Sequence, residues 1–354
     1  MNSSPTTDNS VAARPVVLPA NQPRQFYQGG KAIAELRGAD SAAEYGPEDW
    51  VASTTPRFGK ETDGLSTLPD GRFLRDAIVA APREWLGAEH VETFGTSTAL
   101  LVKLLDAGQR LPVHLHPSNT FAQEHFGSHF GKTEAWAVIG TSGAEPTVWA
   151  GFRKDIDPDE LANWVDVQDR DAMLGSLNEI TVAPGDTVLI PSGLPHAIGA
   201  GVFVVELQQP TDFSITLEWT GFLDDAKAGH LGIGFDTALG AVDRSGWDGD
   251  RLESIIRHTA GRTEPVVPLF NSAAGPFFRA DRLQVSAPVE LDPGFSVLVA
   301  LEGSGRLSTE HGGVLDLRRG DTAVVPHAAG SSTVDGELIM VRCRPPAPDS
   351  QGEI

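Results

Sequence analysis

The sequence has very little cysteine and a shortage of positive charge. Cys343 is the single cysteine in 354 residues, which excludes a disulfide framework and a zinc site built from several cysteines. Lysine and arginine number 27 against 48 aspartates and glutamates, for a formal net charge of -21. Because binding to a phosphate backbone needs clustered cations, this balance argues against a nucleic-acid partner. A small anionic substrate stays compatible with it, since a few local cations can hold one.

Long hydrophobic runs are also missing. No apolar stretch approaches the roughly 18 residues of a membrane span, so we expect no membrane association. The stretch MNSSPTTDNSVAARP has no hydrophobic signal core, and we interpret residues 1–20 as a disordered lead. Together with the single thiol, this favours a cytoplasmic protein. The oligomeric state is not indicated.

Glycine (38 residues) and proline (25 residues) divide the chain into short segments. Apolar runs of strand length, each bounded by turn residues, predict a mainly β protein. These runs lie at 99–107, 134–140, 187–192 and 202–210. Two other stretches, 155–178 and 221–260, have helix-like patterns, the first with aspartates suited to helix capping.

One pattern occurs twice. The sequence G-D-T-x-x-x-P appears at 185–191 and again at 320–326, which predicts two copies of one β unit; two unrelated turn–strand–turn segments are the alternative. We therefore expect a barrel, a helical segment and a second barrel. The predicted divisions are a metal-binding domain with a helical insert (21–220), a helical segment (221–262), a second domain without metal (263–345) and a tail (346–354).

The strongest functional signal is a set of histidines. His114 and His116 are two residues apart, and side chains on a strand alternate between faces, so both point to one side. Glu134 begins the next apolar run and His196 follows a proline–glycine turn. Neighbouring antiparallel strands would bring the four side chains together inside one barrel. Three imidazoles and a carboxylate suit zinc, iron, manganese or nickel.

Three further charged residues allow both a functional and an ordinary interpretation. Lys132 lies two residues before Glu134, or it is a solvated loop lysine. Lys103, in an apolar strand, either extends to solvent or faces a polar pocket. Glu206 among valines is either an edge-strand residue or an interior carboxyl with a raised pKa, which suits a general base.

The glycine spacings of the two histidine motifs are those of the cupin superfamily. Here Gly108-x5-His114-x-His116 precedes the glutamate, and Gly185-x5-Pro191-x-Gly193-x2-His196 forms the second motif. The insertion between His116 and Glu134, with segments 100–119, 131–136 and 190–212, resembles type I phosphomannose isomerases. Weaker likenesses lie at YQGG (27–30), EDWVAS (48–53) and HLGIGFDTAL (230–239).

The resemblance implies two cupin (jelly-roll) barrels with an intervening helical segment. It also implies interconversion of an aldose 6-phosphate and a ketose 6-phosphate by a proton shift between C1 and C2, with a bound ion, usually zinc, as a Lewis acid. The family's functional positions fall on His114, His116, Glu134 and His196 as metal ligands, Lys132 beside the site, Lys103 on its strand, and Trp50 and Ser53 near the pocket mouth.

Two positions depart from the family pattern. His114 stands where the family usually has glutamine, and Thr216 stands where it has a catalytic arginine. Threonine cannot supply a fixed positive charge to an enediolate or a phosphate. A sugar other than mannose 6-phosphate, phosphorylated or not, is therefore an open alternative. So are a cupin oxygenase with a three-histidine, one-glutamate site and a non-catalytic sugar-binding cupin.

Overall fold

A computed structural model describes residues 12–144 and 146–347, and its strands pair into three antiparallel sheets. This confirms the predicted mainly β class. Within these residues no helix has both the length and the apolar character needed to cross a membrane.

The strands are numbered in chain order. They are β1 Val16–Leu18, β2 Glu48–Val51, β3 Leu101–Asp106, β4 His114–Leu115, β5 Glu134–Thr141, β6 Thr147–Phe152, β7 Leu177–Thr181, β8 Asp186–Ile190, β9 His196–Ile198, β10 Val202–Gln208, β11 Ile215–Thr216, β12 Ile256–His258, β13 Val266–Pro268, β14 Arg279–Val285, β15 Val289–Leu291, β16 Ser296–Thr309, β17 Gly313–Arg318, β18 Thr322–Val325 and β19 Ser332–Arg344.

The α-helices are short and are numbered in the same way. They are α1 Ala32–Arg37, α2 Leu74–Ala80, α3 Pro82–Leu86, α4 Ala88–Phe94, α5 Asn119–Phe126, α6 Pro158–Val167, α7 Arg170–Gly175, α8 Ala226–Gly229, α9 Phe235–Ala238 and α10 Gly249–Glu253. Single turns of 3-10 helix lie at Leu239–Ala241, Ser272–Ala274 and His327–Ala329.

Two sheets form the first half of the molecule. One has the strand order β12-β8-β5-β10-β3-β2, and the other has the order β11-β4-β9-β6-β7. Side chains from the two sheets meet between them, where Glu134 of β5 lies 3.4 Å from His196 of β9. This interior space holds the candidate site.

The predicted alternation at the first histidine motif is visible in the packing. His114 and His116 point into the space between the sheets, whereas Leu115 is fully buried in a separate hydrophobic cluster. That cluster includes Leu161 and Val165 of helix α6. The helix begins where predicted, because the side chain of Asp157 accepts hydrogen bonds from its first backbone N–H groups. The histidines are therefore held from behind by a packed apolar layer.

The third sheet forms the second half and has the order β1-β18-β16-β19-β14-β13, with β15 and β17 added to β19 and β16. Its core includes Leu283, Leu298, Leu307 and Met340. The repeated G-D-T pattern opens β8 and β18 with the same turn. Asp186 Oδ2 accepts from Ala183 N (2.8 Å), and Asp321 Oδ2 accepts from Arg318 N (2.9 Å). The equivalent turns support a repeated β unit.

Two parts of the predicted domain organisation differ from the structure. The expected disordered lead, 1–20, is ordered from residue 12: Val16–Leu18 pairs with β18, because three apolar residues complete the edge of that sheet. Residues 1–11 lie outside the described residues, as does most of the predicted tail. The segment 221–262 contains short helices but ends in β12, which pairs with β8 of the first half. The domain boundaries otherwise stay a prediction.

Candidate metal centre

Three buried imidazoles meet between the two sheets of the first half. His114 and His196 are register partners on β4 and β9, and His116 follows directly after β4. One ring nitrogen from each histidine lies within 4.8 Å of the other two. The two sequence motifs therefore form one cluster, as predicted. Their last histidines, His116 and His196, are 80 residues apart in the chain (196 − 116).

Each imidazole is oriented by the backbone. In all three rings Nδ1 lies at hydrogen-bond distance from a carbonyl oxygen, which fixes the proton on Nδ1 and leaves a lone pair on Nε2. The acceptors are Pro112 O for His114 (2.9 Å), Phe213 O for His116 (2.8 Å) and Leu194 O for His196 (2.8 Å). Three nitrogen lone pairs thus converge.

Glu134 completes the donor set. Its Oε2 lies 2.9 Å from His116 Nε2, and its Oε1 lies 3.4 Å from His196 Nε2. Within the described residues, neither Glu134 Oε2 nor His196 Nε2 makes a hydrogen bond of acceptable geometry, although both are buried. Buried acceptors without a hydrogen-bond donor are rare in proteins, and a bound cation would satisfy both of these atoms. The four residues therefore fit a metal ion held by imidazole nitrogen and carboxylate oxygen.

The protonation states agree with that use. Burial lowers the pKa of His116 and of His196 to about 3, and lowers that of His114 well below its usual value. Burial alone would raise the pKa of Glu134, but the nearby Lys132 and His116 outweigh it and hold this pKa well below its usual range. At neutral pH the cluster is three neutral imidazoles and one carboxylate, which are the forms that bind metals.

Lys132 lies at the same place. Its Nζ is 3.0 Å from His116 Nε2 and 3.1 Å from Glu134 Oε2, and the side chain is buried. The solvated-loop interpretation is therefore wrong for this lysine. Its ammonium group brings positive charge to the two acceptors of the cluster.

A cavity of about 210 Å³ opens beside the histidines. Beneath it lies a row of side chains on adjacent strands, since Trp136, Glu206, Lys103 and Trp50 are register partners across β5, β10, β3 and β2. Lys103 and Glu206 both line the cavity and are 3% and 2% exposed. Lys103 therefore faces a polar pocket rather than solvent, and Glu206 is an interior carboxyl rather than an exposed edge-strand residue.

Lys103 is shared by two carboxylates. Its Nζ lies 3.3 Å from Glu48 Oε2 and 3.8 Å from Glu206 Oε1, and 4.8 Å from the centre of the Trp50 ring. Burial raises the pKa of Glu206 to about 8. Burial opposes charge on Lys103, but Glu206 and Glu48 outweigh it and raise the lysine pKa.

Glu48 is a site residue that the sequence analysis missed. Tyr27 Oη and Trp50 Nε1 donate to its two oxygens, at 2.5 and 2.6 Å. Burial would raise the pKa of Glu48, but Lys103 and these donors lower it below its usual value. Glu48 is therefore the ionised partner of Lys103, and Glu206 is the carboxyl that holds a proton more readily. The motif EDWVAS contained Glu48, but nothing in its spacing marked it.

Trp50 and Ser53 have different surroundings from those predicted. Neither is among the residues lining the cavity. Trp50 is fully buried beneath it and binds Glu48, whereas the Ser53 hydroxyl donates to Thr55 O. The polar atoms of both residues are therefore already used within the chain, and only Trp50 contacts residues of the cavity.

The position of the missing arginine lies at the site. Thr216 on β11 is the register partner of His114 and lines the cavity. Arg57 and Asp212 line the same cavity and were not predicted from the sequence. Thr216 therefore brings no charge to the cavity, at the position where the resemblance implied an arginine.

Facing antiparallel sheets with three imidazoles and a carboxylate between them define a mainly β protein with a candidate metal site. No family model matches the chain. It is 29% identical over 349 residues to the mannose-6-phosphate isomerase of Streptococcus mutans, covering 93% of this chain and 98% of that protein.

Solved structures give the same assignment of fold. The mannose 6-phosphate isomerase of Bacillus subtilis matches with a TM-score of 0.71 at 24% identity, covering 94% of this chain and 99% of that one. A zinc-bound mannose 6-phosphate isomerase matches with a TM-score of 0.70 at 15% identity, covering 95% and 100%. The chain is phosphomannose-isomerase-like over nearly its whole length, as its motifs predicted.

Proposed function

We propose that this protein is a metal-dependent aldose–ketose isomerase acting on mannose 6-phosphate and fructose 6-phosphate or on a related sugar. The observation that carries the proposal is the convergence of three Nε2 atoms and the Glu134 carboxylate beside a cavity containing a buried, protonatable carboxyl, Glu206. The full-length similarity to the Streptococcus mutans isomerase supports the reaction class.

We propose zinc as the cofactor, held by His114, His116, Glu134 and His196, with iron, manganese or nickel as alternatives. A bound dication would polarise the sugar oxygens as a Lewis acid. The donor set of nitrogen and carboxylate oxygen, with no thiolate, supports this choice without selecting strictly among these metals.

The chain's own residues would move the protons. Glu206 accepts the proton from C2 of the aldose and returns it to C1, while the hydroxyl proton of O2 passes to O1, giving the ketose. A carboxyl whose pKa is raised to about 8 can both take and return a proton near neutral pH. Lys103 keeps Glu206 in place through their 3.8 Å contact. Lys132, beside the metal ligands, donates a hydrogen bond to a sugar oxygen.

A cytoplasmic location is part of the same proposal. It is supported by a composition with a single cysteine, which is itself buried as a free thiol, as expected for a reducing compartment. The predicted lack of nucleic-acid and membrane partners stays a prediction.

The test is NMR of zinc-loaded protein with mannose 6-phosphate in heavy water. Formation of the ketose with deuterium at C2 of recovered aldose is the expected result. If neither product nor exchange appears with this sugar or with a panel of unphosphorylated aldoses, the isomerase proposal is wrong.

One observation favours a second candidate. His114 gives the site a third imidazole, and three histidines with one glutamate are the donor set of cupin oxygenases. Stoichiometric iron with substrate-dependent oxygen uptake would favour an oxygenase, whereas stoichiometric zinc would argue against it. Saturable sugar binding without turnover would instead indicate a non-catalytic cupin, as the threonine at 216 permits.

A further inference from the structure

We propose that Arg57, on the loop after β2, binds the phosphate group of the sugar. The inference rests on the proposed isomerase function, and it assigns to one residue the recognition of a phosphorylated substrate.

The cations of the cavity differ in how much of their charge is available. Lys103 and Lys132 each lie within 4 Å of buried carboxylates, so their charge is already neutralised inside the protein. Arg57 forms an ion pair with Asp63, in which Nη1 lies 3.1 Å from Oδ2 and the Asp63 side chain is 41% exposed. An exposed pair of this kind contributes little. Arg57 is therefore the cavity cation with charge available to a ligand.

The free part of the Arg57 guanidinium has a shape suited to phosphate. Nη1 is used by Asp63, while Nε is buried and has no hydrogen-bond partner in the part of the chain that the structure describes. A buried N–H without a partner is costly, and an incoming acceptor removes that cost. The edge formed by Nε and Nη2 can donate two parallel hydrogen bonds to two oxygens of one phosphate.

The loop that carries Arg57 is fixed to the metal-binding part of the protein. Phe58 N donates to Asp212 Oδ2 (2.9 Å), and the Phe58 ring lies edge-on to Phe213, with ring centres 5.7 Å apart. The carbonyl oxygen of Phe213 is the group that orients His116. Arg57 is thus placed at a defined position relative to the metal ligands.

The exposures of these groups follow the order of the groups along a hexose 6-phosphate. The metal ligands are at most 9% exposed, whereas the Arg57 side chain is 25% exposed and lines the same cavity. The reacting carbons C1 and C2 lie at one end of the sugar and the phosphate at the other. If the reacting end approaches the imidazoles, the phosphate lies toward the rim, where Arg57 is.

The experiment compares Arg57→Gln with Asp63→Asn, each loaded with zinc. Asp63→Asn breaks the same loop ion pair but keeps the arginine, so it controls for disturbance of the loop. Thermal unfolding and zinc content verify that each variant is folded and loaded. The readouts are kcat and KM for mannose 6-phosphate and for unphosphorylated mannose, and calorimetric binding of inorganic phosphate.

We expect Arg57→Gln to raise KM for mannose 6-phosphate by about tenfold or more, as loss of a charge-assisted pair predicts, while leaving kcat/KM for mannose unchanged. Binding of inorganic phosphate should weaken by a similar factor, and Arg57→Lys should restore part of it. Asp63→Asn should behave like the unmodified protein. An equal fall in kcat for both sugars, or unchanged phosphate binding in Arg57→Gln, would overturn the assignment.

The two proposals fail in different ways. If the unmodified protein turns over no sugar but binds phosphate through Arg57, the isomerase proposal fails and the assignment of Arg57 stands. If mannose 6-phosphate is turned over equally well by Arg57→Gln, the isomerase proposal stands and the assignment fails.

Discussion

Replacing Lys103 by methionine tests the charge arrangement beneath the cavity. Methionine keeps most of the side-chain volume, so the main change is the loss of one buried positive charge. Lys103 is 3% exposed and lies 3.3 Å from Glu48 Oε2. At an effective dielectric constant of about 20, a pair at this distance is worth roughly 5 kcal/mol before desolvation is counted. Removing one partner of a buried pair typically costs about 3–5 kcal/mol, and we expect Lys103→Met to lower the free energy of unfolding by that amount.

The reverse change, Glu48→Gln, should cost less. Glutamine keeps one acceptor oxygen, so the change removes one of the two strong hydrogen bonds from Tyr27 and Trp50, worth about 1–3 kcal/mol. However, Lys103 would still have Glu206 at 3.8 Å. Because the pKa of Glu206 is raised to about 8 in the present arrangement, this carboxyl can ionise when Glu48 no longer carries the charge. The double variant should recover about 2 kcal/mol of the loss in Lys103→Met, since no unpaired charge is then buried.

The assay is equilibrium urea unfolding at pH 7, followed by tryptophan fluorescence, with every variant saturated with the same metal. The reasoning is refuted if Lys103→Met costs less than about 1 kcal/mol, or if Glu48→Gln costs more than Lys103→Met. Either result would mean that Lys103 does not hold the ionised charge of Glu48.

Three further predictions address the metal, pH and the first glycine motif. Glu134→Ala should weaken zinc binding by at least about tenfold, measured by competition with a chelator; unchanged affinity would remove Glu134 from the ligand set. The folded-state pKa of Glu206, raised to about 8, exceeds its unfolded value, so the stability that Glu206 contributes is present at acid pH and is lost as pH rises through 8. From pH 5.5 to pH 9 the unmodified protein should therefore lose at least about 1 kcal/mol more of its free energy of unfolding than Glu206→Gln does. Parallel pH profiles for the two proteins would contradict this. Gly108→Ala should lower the free energy of unfolding by about 1–3 kcal/mol, because its new Cβ would lie 2.1 Å from the backbone oxygen of Gly29; an unchanged thermal midpoint would show that the strand can move.

Local patterns predicted the parts of the fold whose cause is local. The four apolar runs became β3, β5, β8 and β10, because turn residues bound each run at both ends. Helices α6 and α7 begin at aspartates that cap them. The candidate metal ligands could be predicted for the same reason, since the glycine and histidine spacings lie within short segments.

What the sequence did not indicate depends on contacts between distant segments. Helix α2 has no side-chain cap, and β1 is a three-residue strand between irregular segments. Glu48 belongs to the site because Lys103 approaches it from another strand, and Arg57 because its loop is attached to Asp212 and Phe213. No periodicity or spacing along the chain encodes these approaches.

The pairing of β1 with β18 joins segments separated by roughly 300 residues. During synthesis, Val16–Leu18 leaves the ribosome early, but its partner Thr322–Val324 is made only near the end. The order of assembly therefore differs from the order of translation, and late closure of this edge is expected to slow folding. A fragment beginning at residue 263 would carry β18 with an open edge, which is a surface prone to aggregation. The sheet of the second half is thus completed by Val16–Leu18, which precede the first half in the sequence.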